Sequence, residues 1–190
     1  MKKIIFAIII IVVIAIIFVF LPIINKKNIS VDQSLNRGRS VLTNMKITSS
    51  AFQNNSSIPS LYTCDGANIN PPLTFSDIPA GAKSLALIMD DPDAPSGTWD
   101  HWLFWNLPPS VTEIKEGVPP AEAIVGVNSW PKIAYGGPCP PDREHRYFFK
   151  LYALDTMLNL SRGSTKKEVE SAMSGHIIAQ AELVGKYNRK

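Results

Sequence analysis

Hydrophobic and polar positions divide the chain into three stretches with different patterns. From Ile4 to Ile24 the run is apolar throughout and carries no charge, with Pro22 as its only conformational break. A bilayer is crossed by about 20 apolar residues at about 1.5 Å rise each, so the run predicts an uncleaved membrane anchor over residues 1–24. A cleaved signal peptide is the competing reading, because Lys2 and Lys3 supply a positive start. Such a peptide has a shorter apolar part and a small-residue cleavage site, whereas Phe20, Leu21, Pro22, Ile23 and Ile24 stand here. Residues 25–45 mix Asn, Lys, Ser, Gln, Arg and Gly with no sustained period, and read as a flexible basic stalk.

Residues 46–190 change pattern again. Short segments rich in aromatic and aliphatic residues run from Lys46 to Phe52, Ser84 to Met89, Trp102 to Leu107, His145 to Leu154 and Ala179 to Tyr187, separated by Pro and Gly clusters. One late segment has helical spacing instead, at Val169, Ala172 and Met173, with Ser164 or Thr165 as its cap. Glu168, three residues after Thr165, completes a capping-box pattern. Many strands, one late short helix and 15 prolines predict a mainly β domain of antiparallel sheet with long loops, not a βαβ fold.

Charge sharpens this division. Six of the 19 Lys and Arg precede Met45 with a single acid, Asp32, leaving the rest of the chain with 13 basic and 15 acidic residues. A nucleic-acid-binding domain concentrates basic charge in its folded part, so the split argues against that partner class. Basic residues flank the anchor on both sides, and charge counting alone favours the domain inside. A three-residue tail ahead of a signal-anchor stays in the cytoplasm, however, which places the domain on the extracytoplasmic side.

Three segments carry candidate chemistry. Asp90-Asp91-Pro92-Asp93-Ala94-Pro95-Ser96-Gly97 follows an apolar strand, where a rigid scaffold fixes polar groups for a site. Turn chemistry explains the same residues, and calcium is a further candidate, although the run lacks an EF-hand's ligand spacing and distal Glu. His101 follows in Trp99-Asp100-His101-Trp102-Leu103-Phe104-Trp105-Asn106. Strand alternation puts His101 with Leu103 and Trp105 on one face, and Trp102, Phe104 and Asn106 on the other. Among apolar groups it needs a partner, and a nearby Asp accepting from one ring nitrogen leaves the other for a ligand. The third segment is Tyr135-Gly136-Gly137-Pro138-Cys139-Pro140-Pro141, followed by His145-Arg146-Tyr147, in which His145 and Tyr147 share a strand face.

Together with Tyr62-Thr63-Cys64-Asp65-Gly66 and Asn70-Pro71-Pro72-Leu73, these segments resemble the phosphatidylethanolamine-binding protein family, which includes the Raf kinase inhibitor proteins and many bacterial and archaeal homologues. The resemblance covers nearly everything from Lys46 to Tyr187. It implies two packed antiparallel sheets with few helices and a surface pocket for a phosphate-like anion or phospholipid headgroup. Carried over position by position, it implies ligand-binding roles for Asp91, His101, Pro140, Pro141, His145 and Tyr147, with Asp93, Gly137 and Cys139 in support. A protease or kinase partner follows from the resemblance alone. Asp142-Arg143-Glu144 departs from many relatives, whose stretch is longer or richer in Gly; its two acids at the rim oppose anion entry and Arg143 offsets them. The C-terminal helix of eukaryotic members has no clear counterpart, so nothing is carried onto Tyr187.

The chemistry fits independently, since two imidazoles and a phenol donate to phosphate oxygens while Asp91 orients a His or pairs with an ammonium. A hydrolase using the Asp and His residues is the alternative, yet no Gly-x-Ser-x-Gly elbow, Walker loop or His-Glu-x-x-His helix is present. Cys139 beside His145 is a conceivable thiol–imidazole pair. Cys64 and Cys139, the only two cysteines, permit one bridge, with two buried thiols as the alternative. No residue pattern calls for a cofactor.

Overall fold

The structure, a computed structural model, describes residues 44–189. The predicted anchor and all but the last two residues of the predicted stalk lie outside the described residues. Met45, read from sequence as stalk, is buried in the core. Among the described residues no helix is long and apolar enough to cross a membrane.

In chain order the strands are β1 (Lys46–Thr48), β2 (Ser56–Ser57), β3 (Leu73–Ser76), β4 (Ser84–Asp91), β5 (Trp99–Leu107), β6 (Glu113–Ile114), β7 (Ile124–Val125), β8 (His145–Leu154) and β9 (Ile177–Tyr187). The α-helix among the described residues, α1 (Lys166–Met173), precedes β9. The strands form a three-stranded sheet, β1-β3-β6, and a six-stranded sheet, β2-β9-β8-β4-β5-β7. Neighbours run antiparallel except β2 and β9, which pair in parallel through Ser56 with Gly185 and Ser57 with Lys186.

The larger sheet is covered on both faces. Leu85, Leu87 and Met89 of β4 join Ile47, Leu73 and Phe75 from the smaller sheet in one core cluster. Ala86 and Ile88 point the other way, into a second cluster with Leu158, Val169 and Met173. All eight residues of β4 are therefore buried, and its middle, Leu85 to Met89, reads as a continuous apolar run instead of an alternation. The second cover is α1, started by Thr165: its side chain accepts from the Glu168 N–H, and the Glu168 carboxylate accepts from the Thr165 N–H. Lys166 ties α1 to the sheet, its ammonium standing 2.6 Å from Asp90 Oδ2.

The predicted mainly β fold with two sheets and one late short helix is what the domain adopts. Its strands differ at their ends. β1 stops at Thr48 instead of continuing to Phe52, while β4, β5 and β9 begin earlier or end later than their apolar runs. At one end of the β4–β5 pairing the ladder continues beyond the apolar run of β4, through Asp90 opposite Asp100 to Asp91 opposite Trp99; the other end is the apolar pair Leu85 and Leu107.

Candidate functional site

β4 ends by delivering Asp91, on the same face as Met89, to the edge of the space between the sheets. The carboxylate is buried, with Oδ1 accepting from the Asp93 N–H at 2.8 Å and Oδ2 accepting from His145 Nδ1 at 2.7 Å. His145 opens the neighbouring strand β8 and is fully buried. Its other nitrogen, Nε2, donates to Asp142 Oδ1 at 2.9 Å. Burial pushes this ring toward the neutral form, but the hydrogen bonds to Asp91 and Asp142 and their charges outweigh it, so its pKa stands above the ordinary histidine value. A ring with a carboxylate oxygen on each nitrogen donates from both, which is the imidazolium form.

His101 reaches the same place by a different route. Met89 and Asp90 are consecutive on β4, but their partners on β5 are Trp102 and Asp100, so His101 is an extra residue in the ladder. Such a bulge re-aims a side chain. Its ring lies edge-on to Tyr147, 5.1 Å between centroids, and to Trp130 at 5.0 Å. Simple alternation assigns His101 to the face of Leu103 and Trp105; the bulge instead turns it toward Tyr147 and the cluster between the sheets. A second bulge, opposite Ala86, moves Asn106 the other way: its amide donates to the Leu158 carbonyl on the α1 side. The partner fixing His101 is also not the expected carboxylate. Nδ1–H donates to the Gly136 carbonyl at 2.7 Å, and Nε2 has no partner among the described residues. Burial holds the His101 pKa below the ordinary value, opposed by the Gly136 bond and by the charge of Asp91.

The wall opposite is the glycine and proline loop. A Cβ on Gly137 would stand 2.4 Å from the Tyr62 carbonyl oxygen, so only glycine allows this approach. Cys64 and Cys139 are joined by a disulfide with 5.4 Å between Cα atoms, which fastens the loop to the turn after Tyr62. Cys139 is thereby unavailable as a thiol partner for His145. On the near side Arg146 grips Asp93 with Nε and Nη2, both at 2.8 Å, and this pairing holds the Asp93 carboxyl down to about 2.

These groups enclose a cleft of about 240 Å³ lined by Asp91, His101, His145, Cys139 and Pro141 together with Ser96, Trp99 and Trp130. Pro140 is buried behind the wall and does not line it. Tyr147 lies beneath, fully buried, with a hydroxyl that meets no hydrogen-bond partner. Burial, and then the charge of Asp91, pushes its pKa far above the ordinary phenol value, so it is a donor. The two Trp residues went unrecognised in the sequence: Trp99 and Trp130 are 31 positions apart, and only the fold sets their rings edge-to-face at 5.4 Å. Asp142 was visible as a rim acid, but its bond to His145 was not. A larger open cleft of about 470 Å³ beside Asp65, Glu144 and Tyr187 contains none of the candidate residues. Among the described residues, no group of three or more His, Cys, Asp or Glu is arranged to hold a metal ion.

Comparison with known proteins points one way. Residues 48–188 match the family model for phosphatidylethanolamine-binding protein. A UPF0098 protein of Methanothermobacter thermautotrophicus is 50% identical over 150 residues, covering 76% of this chain and 99% of the relative. One of Pyrococcus horikoshii is 53% identical over 151 residues, covering 75% of this chain and 76% of the relative. Among solved structures, a putative phosphatidylethanolamine-binding protein homologue of Chlamydia trachomatis superposes with a TM-score of 0.75 at 47% identity, covering 78% of this chain and 99% of that one. E. coli YbcL, described as a new member of the mammalian family, gives 0.72 at 31% identity over 77% of this chain and 99% of its own.

Proposed function

The chain belongs to the phosphatidylethanolamine-binding protein family, and from that premise we propose that its cleft binds a phosphate-like anion, free or as a phospholipid headgroup. The observation that carries this reading is the placement of His145, whose ring lines the cleft with a carboxylate oxygen on each nitrogen, an arrangement that favours the protonated, donating ring. Around it stand groups of complementary kind. His101, neutral and donating through Nδ1, keeps an acceptor lone pair on Nε2, while Tyr147 keeps an unpartnered O–H. A hydrogenphosphate offers both matches at once, a P–OH for His101 and a P–O⁻ oxygen for His145, while Tyr147 stays buried beneath the cleft. A fully deprotonated anion loses the first match. If the run from Ile4 to Ile24 anchors the chain, headgroups at the membrane surface lie within reach of the domain.

Calorimetric titration of inorganic phosphate and of phosphorylethanolamine into wild type and His145→Gln, at one fixed pH, tests the proposal. A charge-assisted hydrogen bond contributes on the order of 1.5 to 3 kcal/mol, so the variant should bind at least about tenfold more weakly. Tighter binding of phosphorylethanolamine than of phosphate points to the headgroup as the source, and equal binding to the free anion. Thermal melts establish that both proteins are folded. Equal affinity for phosphate in two folded proteins removes His145 from the site and the proposal with it.

A further inference from the structure

Resting on the anion-binding reading, we infer that Asp142 is an internal competitor: its carboxylate occupies the position on His145 Nε2 that a ligand oxygen would take, and so sets the affinity an incoming anion must exceed. The two carboxylates on the His145 ring are not equivalent. Asp91 belongs to β4, its side chain is only 4% exposed, and the Asp93 N–H holds its second oxygen. Asp142 lies on the surface stretch between Pro141 and β8, with its side chain 47% exposed while the imidazole it touches is at 0%. The inner carboxylate is built into the sheet; the outer one is half exposed and, among the described residues, is held apart from His145 only by its chain neighbour Arg143.

Asp142 also holds the exposed side chain of Arg143. Arg143 Nη1 stands 2.8 Å from Asp142 Oδ2, its backbone N–H donates to Oδ1 at 2.9 Å, and Nη2 donates to the Asp93 carbonyl at 3.2 Å. Displacing Asp142 therefore frees the His145 Nε2–H and the Nη1 side of the Arg143 guanidinium together, while Nη2 keeps its bond to the Asp93 carbonyl. As a side chain three residues from His145, Asp142 competes intramolecularly, at an effective concentration on the order of millimolar or above. A lone carboxylate such as acetate offers Nε2 nothing that Asp142 does not, and must also give up its translational freedom. A phosphoryl group presents three oxygens, enough to take Nε2 and the freed side of the guanidinium together. Weak single-contact anions are thus held below the threshold and phosphoryl groups pass it.

The test uses the full chain in mild detergent, with inorganic phosphate and acetate titrated calorimetrically at one pH into wild type, Asp142→Asn and Asp142→Ala. The asparagine variant keeps a side chain able to accept from Nε2 but without the charge, and the alanine variant removes the competitor altogether. Removing the competitor should tighten phosphate about tenfold in Asp142→Ala and by less in Asp142→Asn, and should bring acetate into the measurable range. Phosphate binding by the variants alone would support the same conclusion. Wild type and both variants binding phosphate equally, or the variants more weakly, overturns the inference and leaves the anion site standing. No phosphate binding by any of the three proteins overturns both.

Discussion

His101 and His145 line one cleft and are driven in opposite directions by what surrounds them. His145 is buried between two carboxylates, and their bonds raise its pKa; His101 is buried against a carbonyl and two aromatic rings, and desolvation lowers it. Each shift fixes a dependence of stability on pH. With its folded pKa raised, His145 contributes stability that is present below the ordinary histidine value and lost as pH rises through the raised one. With its folded pKa depressed, His101 favours folding above the ordinary value and loses that advantage as pH falls through the depressed one. The sum should peak near the ordinary value and decline on both sides. Ring-resolved NMR titration paired with denaturant unfolding across that range should find His101 titrating below His145. The reverse order would contradict the assignment of the two rings. Anion binding should also weaken as pH rises through the His145 transition, because the donor on Nε2 is lost there.

At the scale of elements, what was legible in the sequence was what depends on neighbours in the chain. Thr165 and Glu168 form their capping box within three residues, so the start of α1 was readable. β8 was readable end to end because its ten residues carry the aromatic and aliphatic pattern themselves. Two-residue strands such as β2 and β7 carry no such pattern, and the parallel pairing of β2 with β9 joins residues about 130 positions apart. The bulges of β5 were hidden for the same reason: an extra residue exists only relative to a partner strand, and no local feature of Asp100-His101-Trp102 announces it. The disulfide lies between these cases. Both cysteines were visible, but pairing them needed the Cα separation that only the fold supplies. Closing a loop of 75 residues should stabilise by about 4 to 5 kcal/mol in the chain-entropy model. Denaturant unfolding with and without reductant should show a loss of that order, and thiol titration of the unreduced, denatured protein should find no free thiol. Coincident unfolding curves would contradict a bridge that holds the cleft wall.

For the whole molecule, the candidate cleft was legible as a set of residues and not as an arrangement of their contacts. Asp91, His101 and His145 were identified from motifs that resemble one family, and the fold brings all three to one cleft from strands β4, β5 and β8. Their division of labour was not legible. Asp91 orients His145 instead of His101, a backbone carbonyl orients His101, and a surface carboxylate already sits on the cleft's only doubly bonded imidazole among the described residues. Each of these depends on side-chain distances near 3 Å across segments far apart in sequence. The chain has three histidines, and His176, paired with Asp155 on the surface, does not line the cleft and serves as an internal reference. The most direct test of the account is therefore the histidine ring-nitrogen NMR spectrum during titration with inorganic phosphate at constant pH and ionic strength. The account predicts saturable shifts at Nε2 of His145 and Nε2 of His101, with His176 unmoved; no shift at either cleft histidine, or equal drift at all three, would contradict it.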